Sequence, residues 1–400
     1  NFAMGVVTGI VQEFQFGMNW SEYSRLVGDV FGIPLAIEAL VAFFLESTFL
    51  GLWIFGWDRI SKKMHLAAIW LVAAGSTLSA LWILVANSFM QAPPLAADGT
   101  VLKDLGSLLA NPNVWVQFPH TIFSGYVTGA FFVLGISAYH LIRKNEVELF
   151  RKSLNIATVV GSISILLVIL VGHSQAQNMV AVQPMKMASA EALWNSEDPA
   201  SFSMFTIVDQ QNRTNLVALP RIPYVLSILS YNRPMGEVKG ILDLQAEYEL
   251  KYGPGNYIPN INIAYFSFRI MVGAGFLMLA LAAYLLLRML QKRPSSHLRL
   301  LGLFIPAISL PYLANSFGWI LTEMGRQPWV VYGILKTEDA VSPNLTAGMV
   351  IASLVAFTLV YGLLMFADVY LLTKYAKAGP APVVEERKVQ TTTTEEAYLE

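Results

Sequence analysis

Cysteine is absent from all 400 residues, and charged side chains make up only 13% of them. The first absence excludes disulfides, iron–sulfur clusters and covalent C-x-x-C-H haem attachment, so any haem would be held by His, Met or a carboxylate. The second removes the solvated shell of a water-soluble domain, in which about 25% of residues are charged. Net charge is lacking too: 26 Lys and Arg against 27 Asp and Glu leave −1. The basic residues fall in short clusters and form no single patch, which argues against a nucleic-acid partner. What is present is apolar surface, 55% of the chain. It comes in runs of about 20 residues, the length a helix needs to cross a bilayer core.

These runs predict an all-α, polytopic transmembrane bundle in a lipid bilayer. A partial span covers 1–12, and full spans lie near 33–57, 65–88, 119–142, 153–173, 262–290, 298–323 and 346–373. The chain opens Asn1-Phe2-Ala3-Met4-Gly5 inside an apolar run too short to span, as if within a helix, and no signal peptide is visible. Every second connection is basic: Arg59, Lys62 and Lys63; then Arg143, Lys144, Arg151 and Lys152; then Arg288, Lys292, Arg293 and Arg299; then Lys374 and Lys377. The positive-inside rule therefore puts 13–32, 89–118, 174–261 and 325–345 outside and the tail in the cytoplasm. Four regions follow: membrane helices 1–173, a long outer loop 174–261, membrane helices 262–373, and a tail 374–400 expected to be disordered. Aromatic runs such as Phe202-Ser203-Met204-Phe205 and Ile222-Pro223-Tyr224 favour an ordered loop packed on the membrane surface.

Ionisable groups at membrane depth cost about 2.5–3.5 kcal/mol each, so each requires a reason. Glu38 and Glu46 share a span, about 12 Å of rise and about 80° apart on an ideal helix. They read as haem ligands, as a proton relay, or as carboxylates paired with a neighbouring Arg. His120 begins its span and Met271 lies at similar depth two residues past Arg269, either as interfacial and packing residues or as an axial pair for a low-spin haem. Glu323 and Arg326, in Glu323-Met324-Gly325-Arg326-Gln327-Pro328-Trp329, suit an interfacial ion pair. His65, His140 and His297 fall at basic span ends and read as solvated; His173 borders the long loop. On these grounds an ion- or proton-coupled transporter or channel lined by Glu38 and Glu46 stays open.

Several longer motifs resemble one family. Gln12-Glu13-Phe14-Gln15-Phe16-Gly17-Met18-Asn19-Trp20, Gly32-Ile33-Pro34-Leu35-Ala36-Ile37-Glu38-Ala39, Phe43-Phe44-Leu45-Glu46-Ser47-Thr48-Phe49, Ser79 to Asn87, Phe268-Arg269-Ile270-Met271-Val272 and Gly325-Arg326-Gln327-Pro328-Trp329 are similar, in order, to cytochrome bd ubiquinol oxidase subunit I. The resemblance implies a haem subunit that oxidises quinol at the outer face and reduces dioxygen to water with protons from the cytoplasm. A membrane potential would then arise without pumping. It implies two haems b, one low-spin and one high-spin, and a haem d or third haem b. His120 and Met271 would ligate the low-spin haem, with Arg269 by its propionates. Glu323 would ligate a high-spin haem, with Glu38 beside that di-haem site, Arg326 near it and Trp319 on the electron path. His120, Met271, Glu38 and Glu323 would all cluster at the outer ends of their spans, while Glu46 with Ser79 would bring protons inward of them. In the loop, of the short type, Lys186 and Glu191 match the quinol-site residues. A second subunit would complete a heterodimer in the bacterial inner membrane, with small single-span subunits as further partners. The family pattern opens with another span carrying a haem-ligating His, which this sequence does not show ahead of Asn1.

Overall fold

A computed structural model describes residues 2–96, 101, 104–291 and 298–380. Among the described residues, seven helices are long and apolar enough to cross a membrane: α2 (Ser21–Phe55), α3 (Lys62–Gln91), α4 (Pro112–Ile142), α5 (Val147–Val182), α9 (Ile261–Leu290), α10 (Phe304–Met324) and α11 (Ala347–Ala378). They correspond one for one to the seven expected full spans. A shorter helix, α1 (Phe2–Met18), precedes them. Between α5 and α9 the chain forms α6 (Pro184–Ala190), an antiparallel hairpin of β1 (Phe202–Asp209) and β2 (Thr214–Ile222), α7 (Val225–Tyr231) and α8 (Ile241–Tyr252). The long loop is thus ordered, with its own core of Met185, Trp194, Ile241, Leu244, Tyr248 and Tyr257.

Helix starts follow side-chain capping, which satisfies the first free backbone N–H groups. Ser61, Asn111, Asn260 and Thr346 each accept from a backbone N–H two or three residues on. Capping at Asn111 corrects one expectation: α4 begins at Pro112, not near 119, so His120 lies inside the helix. Other extents are corrected likewise. The connection expected over 13–32 is helical apart from a break at Asn19 and Trp20, and α5 runs on through His173 to Val182. Residues 374–378 of the expected tail continue α11, while 381–400, Lys292, Arg293 and His297 lie outside the described residues.

The main core joins α4, α5, α9 and α10 through Val127, Phe131, Leu134, Leu154, Ile165, Met278, Ala282 and Phe304. Lipid supplies no hydrophobic drive between helices, so close approach at small residues does that work. At Gly135 a Cβ would stand 2.3 Å from Ile308 Cγ1 and 2.8 Å from the Phe304 carbonyl. Helices α2 and α3 meet at Gly75, whose Cβ would lie 3.2 Å from the Ala42 carbonyl. Helix α11 buries only Ser353 and meets the amino-terminal helix and the turn after it, where Tyr361 donates to Thr8 O at 3.2 Å and Asn19 to Ser353 Oγ at 2.9 Å. His140 overturns its expected solvated role: it is buried, stacks on Phe150 at 4.1 Å, and its Nε2 lies 2.7 Å from Ala376 O.

Gly135→Ala and Gly129→Ala gain the same helix propensity, but only the first meets a neighbour, since nothing lies within 4 Å of a Cβ at 129. Gly135→Ala is expected to be less stable than Gly129→Ala by about 1–3 kcal/mol. Thermal unfolding of the detergent-solubilised variants reads the difference.

Candidate functional site

One face of α3 organises the polar side chains of the bundle. Ser76, Ser79, Asn87 and Gln91 fall within an arc of about 120° on it. At the end nearest the long loop, Asn87 Nδ2 and Gln91 Nε2 donate to Glu323 Oε1 at 3.2 and 3.3 Å. The other carboxylate oxygen pairs with Arg326, one turn further along the chain and buried, whose Nε donates to Trp329 O at 3.2 Å. Trp319 sits exposed one turn back on α10.

Further along α3, Ser79 Oγ donates to Glu38 Oε1 at 2.6 Å, and Ser76 donates to Glu46. Both carboxylates are buried, at 6% and 8% exposure. Their common orientation has a backbone cause. Residues Glu38–Phe43 form a π turn, which absorbs one extra residue. That reduces the offset between the two glutamates from about 80° to about 20°. The structure corrects two expectations here: Ser79 serves Glu38, with Ser76 beside Glu46, and Glu38 is not at the outer end of its span. It lies about 12 Å along α3 from the partners of Glu323. Glu13 on α1, not singled out from sequence, is within electrostatic reach of Glu38.

The short helix α6 begins with Pro184 at its first turn and buries both of its charged neighbours. Lys186 Nζ donates to Gln91 Oε1 at 2.6 Å and to Thr322 O at 2.9 Å, which seats it on the end of α10 beside Glu323. Glu191 makes a two-pronged ion pair with Arg269, 2.6 Å at its shorter arm. The guanidinium lies 4.5 Å from the Phe202 ring centroid and 4.4 Å from that of Tyr265. Arg269 is therefore committed to Glu191 and an aromatic cage. Burial drives the Lys186 ammonium well below its ordinary range, with the Arg326 charge adding to the effect. Burial also raises the Glu191 carboxyl, opposed by Arg269. Both groups are displaced toward their neutral forms, the direction that suits proton exchange.

His120 and Met271 project from α4 and α9 of the four-helix core, each about 12–15 Å in from the loop end of its helix. His120 Nδ1 lies 3.1 Å from Val168 O. A carbonyl only accepts, so Nδ1 carries the proton and Nε2 keeps its lone pair for a metal, as in an iron-ligating imidazole whose other nitrogen donates to a carbonyl. Glycines back both candidate ligands: a Cβ at Gly172 would come 3.0 Å from His120 Cε1, and one at Gly318 3.0 Å from Met271 Sδ. An imidazole anchored through one nitrogen, a thioether and a carboxylate fit a haem group better than a bare ion.

The family model for cytochrome bd terminal oxidase subunit I matches residues 1–380. The chain belongs to that family. It is 50% identical over 383 residues to cytochrome bd ubiquinol oxidase subunit 1 of Bacillus subtilis, covering 95% of this chain and 82% of the relative. Identity to cytochrome bd-II ubiquinol oxidase subunit 1 of Escherichia coli is 38% over 452 residues, 98% of this chain and 88% of that one. The solved bd oxidase from Geobacillus thermodenitrificans superposes with a TM-score of 0.83 at 31% identity, covering 94% of this chain and 85% of that chain. Membership in a cytochrome family makes this a haem protein of the membrane and an oxidoreductase, and subunit I of a multi-subunit oxidase implies a subunit II.

Arg269→Met strands Glu191 in a buried site without its cation and is expected to cost about 3–5 kcal/mol. Removing both charges together, Arg269→Met with Glu191→Leu, should cost less than the single change. Unfolding midpoints of the three proteins check the order.

Proposed function

We propose that this chain is the haem-carrying subunit of a quinol:dioxygen oxidoreductase that oxidises quinol at its loop end and takes the protons for water from the opposite side. The observation that carries this is the seating of α6. Lys186 rests on the Glu323 end of α10, and Glu191 on Arg269, two residues before Met271. One short loop helix therefore contacts both candidate haem positions, where a quinol would deliver electrons. Glu191, raised by burial, accepts a quinol proton, and the neutral-leaning Lys186 holds a quinol oxygen.

Haem, when bound, carries the electrons and binds dioxygen. His120 Nε2 and Met271 Sδ would hold the low-spin haem b, Glu323 a high-spin haem, and Glu38 would stand by the di-haem site of a haem b with a haem d or third haem b. Arg326 fixes Glu323 through their ion pair, and Trp319, next to Gly318 and one turn before Glu323 on α10, would carry electrons between the haem positions. Glu46, Ser76, Ser79 and Glu38 form a line of hydroxyls and carboxylates able to pass protons in from the basic end of the bundle. Protons released on one side and consumed from the other build a potential without pumping. Basic residues on alternate connections support a cytoplasmic position for that end and an outside position for the loop in a bacterial inner membrane. A subunit II completes the enzyme, with small single-span subunits as further partners.

Lys186→Ala and Glu191→Ala are expected to lower quinol oxidation by about tenfold or more and to leave oxygen uptake with an artificial haem-reducing donor intact. Equal loss of both activities would make the loop a purely structural element. Glu46→Gln keeps volume and hydrogen bonding but cannot ionise. It should retain full haem content while turnover and proton uptake fall together, by about tenfold or more. Normal turnover in that variant means protons enter elsewhere.

A further inference from the structure

Behind Glu323 runs a chain of amides, buried at Gln117 and Asn113, that no part of the proposed reaction uses. Gln117 Nε2 on α4 donates to Asn87 Oδ1 at 2.8 Å, and Asn87 Nδ2 donates onward to Glu323 Oε1 at 3.2 Å. Gln117 Oε1 in turn accepts from Ser88 Oγ at 3.0 Å and from Asn113 Nδ2 at 3.3 Å. Asn113 Oδ1 accepts from Asn178 Nδ2 of α5 at 2.9 Å. Asn113, Gln117 and Asn87 each receive at the carbonyl and give from the NH2 group, and Asn178 gives at the far end, so all four point the same way and the donor end meets the carboxylate. Turning one over would set a donor against a donor among groups as buried as Gln117, at 4% exposure, and Ser88, at 0%. A buried unmade hydrogen bond of that kind costs about 1–3 kcal/mol, and aligned bonds strengthen one another.

We infer that Gln117, backed by Asn113 and Asn178, is a positioning residue for Glu323: it locks Asn87 in the orientation that donates to Oε1 and so fixes how the carboxylate faces the high-spin haem. This rests on Glu323 being a haem ligand. A chain serving only to hold α3 against α4 would perturb every haem in the bundle alike when cut. A positioning chain acts on one, and His120, three residues from Gln117 on the same helix, supplies the control.

The test uses the purified, haem-loaded oxidase complex carrying Gln117→Met, which fills similar volume and cannot donate to Asn87. Optical spectra of the reduced enzyme and the rate of haem transfer to apomyoglobin are read for each haem. The expected result is a shifted high-spin band and about tenfold faster loss of that haem, the lower range for loss of a partner behind a metal ligand, with the low-spin band unmoved. Asn178→Ala, at the half-buried far end of the chain, should shift the same band less and covers the case in which Gln117→Met fails to assemble. Unmoved high-spin signals, or equal disturbance of both haems, overturn the inference. Glu323→Ala separates the causes. If it changes the high-spin band while Gln117→Met and Asn178→Ala do not, the positioning role alone fails; if it changes nothing, the ligand assignment fails and takes this inference with it.

Discussion

A helix in hydrocarbon keeps a polar side chain only if a neighbour supplies its partner, because no water is there to do so. Helix α3 carries Ser76, Ser79, Asn87 and Gln91 on one face, and the partners of these four decide what packs against it. Glu46 and Glu38 tie on α2, Glu323 ties on α10, Lys186 brings the loop helix down through Gln91, and Gln117 brings α4 through Asn87. Each link is a modest net gain when made and costs about 1–3 kcal/mol when a buried partner is stranded. The helices are therefore held in register by the same side chains that form the candidate site, and a change to the site is also a change to the fold.

The loop helix α6 shows how a small element can serve two places. Lys186 and Glu191 are five residues apart, about 140° around a helix and about 7.5 Å along it. One therefore faces α10 and the other α9 without any bending of the chain. Each reaches a partner that quenches its charge differently. Lys186 meets neutral oxygens of Gln91 and Thr322, and burial, with the Arg326 charge, drives it toward the uncharged form, while Glu191 meets the Arg269 guanidinium inside a ring of aromatics.

Span number and pairing were legible because they depend on apolar length alone. Span ends were not. Polar residues from Asn111 to Gln117 read as loop in sequence, yet they cap and open α4, with partners on α3 and α5 far outside any local window. His140 misled for the same reason: its partner is a carbonyl at the end of α11, 236 residues away. The pairing of Ser79 with Glu38 was hidden by the π turn, which rotates the helix with no residue to announce it. Sequence resemblance picked out Lys186, Glu191, Arg269, Glu323 and Arg326, and the structure brings these together as two ion pairs and a seated lysine. It gave no sign of Ser76, Gln91 or Gln117, whose significance lies only in what they touch.

The chemistry of α3's partners changes along its length, and the change matches what each carboxylate would have to do. Next to Glu323 the donors are amides. An amide has a fixed donor end and a fixed acceptor end, and once its carbonyl is engaged, as Asn87's is by Gln117, it cannot reverse. It holds a carboxylate still and passes nothing on. Next to Glu38 and Glu46 the donors are serine hydroxyls, each able to rotate, to give its proton and to take another. A metal ligand needs the first kind of partner and a proton path the second. Replacing either serine by alanine would remove the moving part, and replacing either amide by serine would free a group that has to stay fixed. The division between them falls across the stretch from Ala80 to Ala86, where α3 carries no hydroxyl or amide side chain, so the α3 partners of the held carboxylate and of the nearer exchanging one, Asn87 and Ser79, stay about 12 Å apart along the helix.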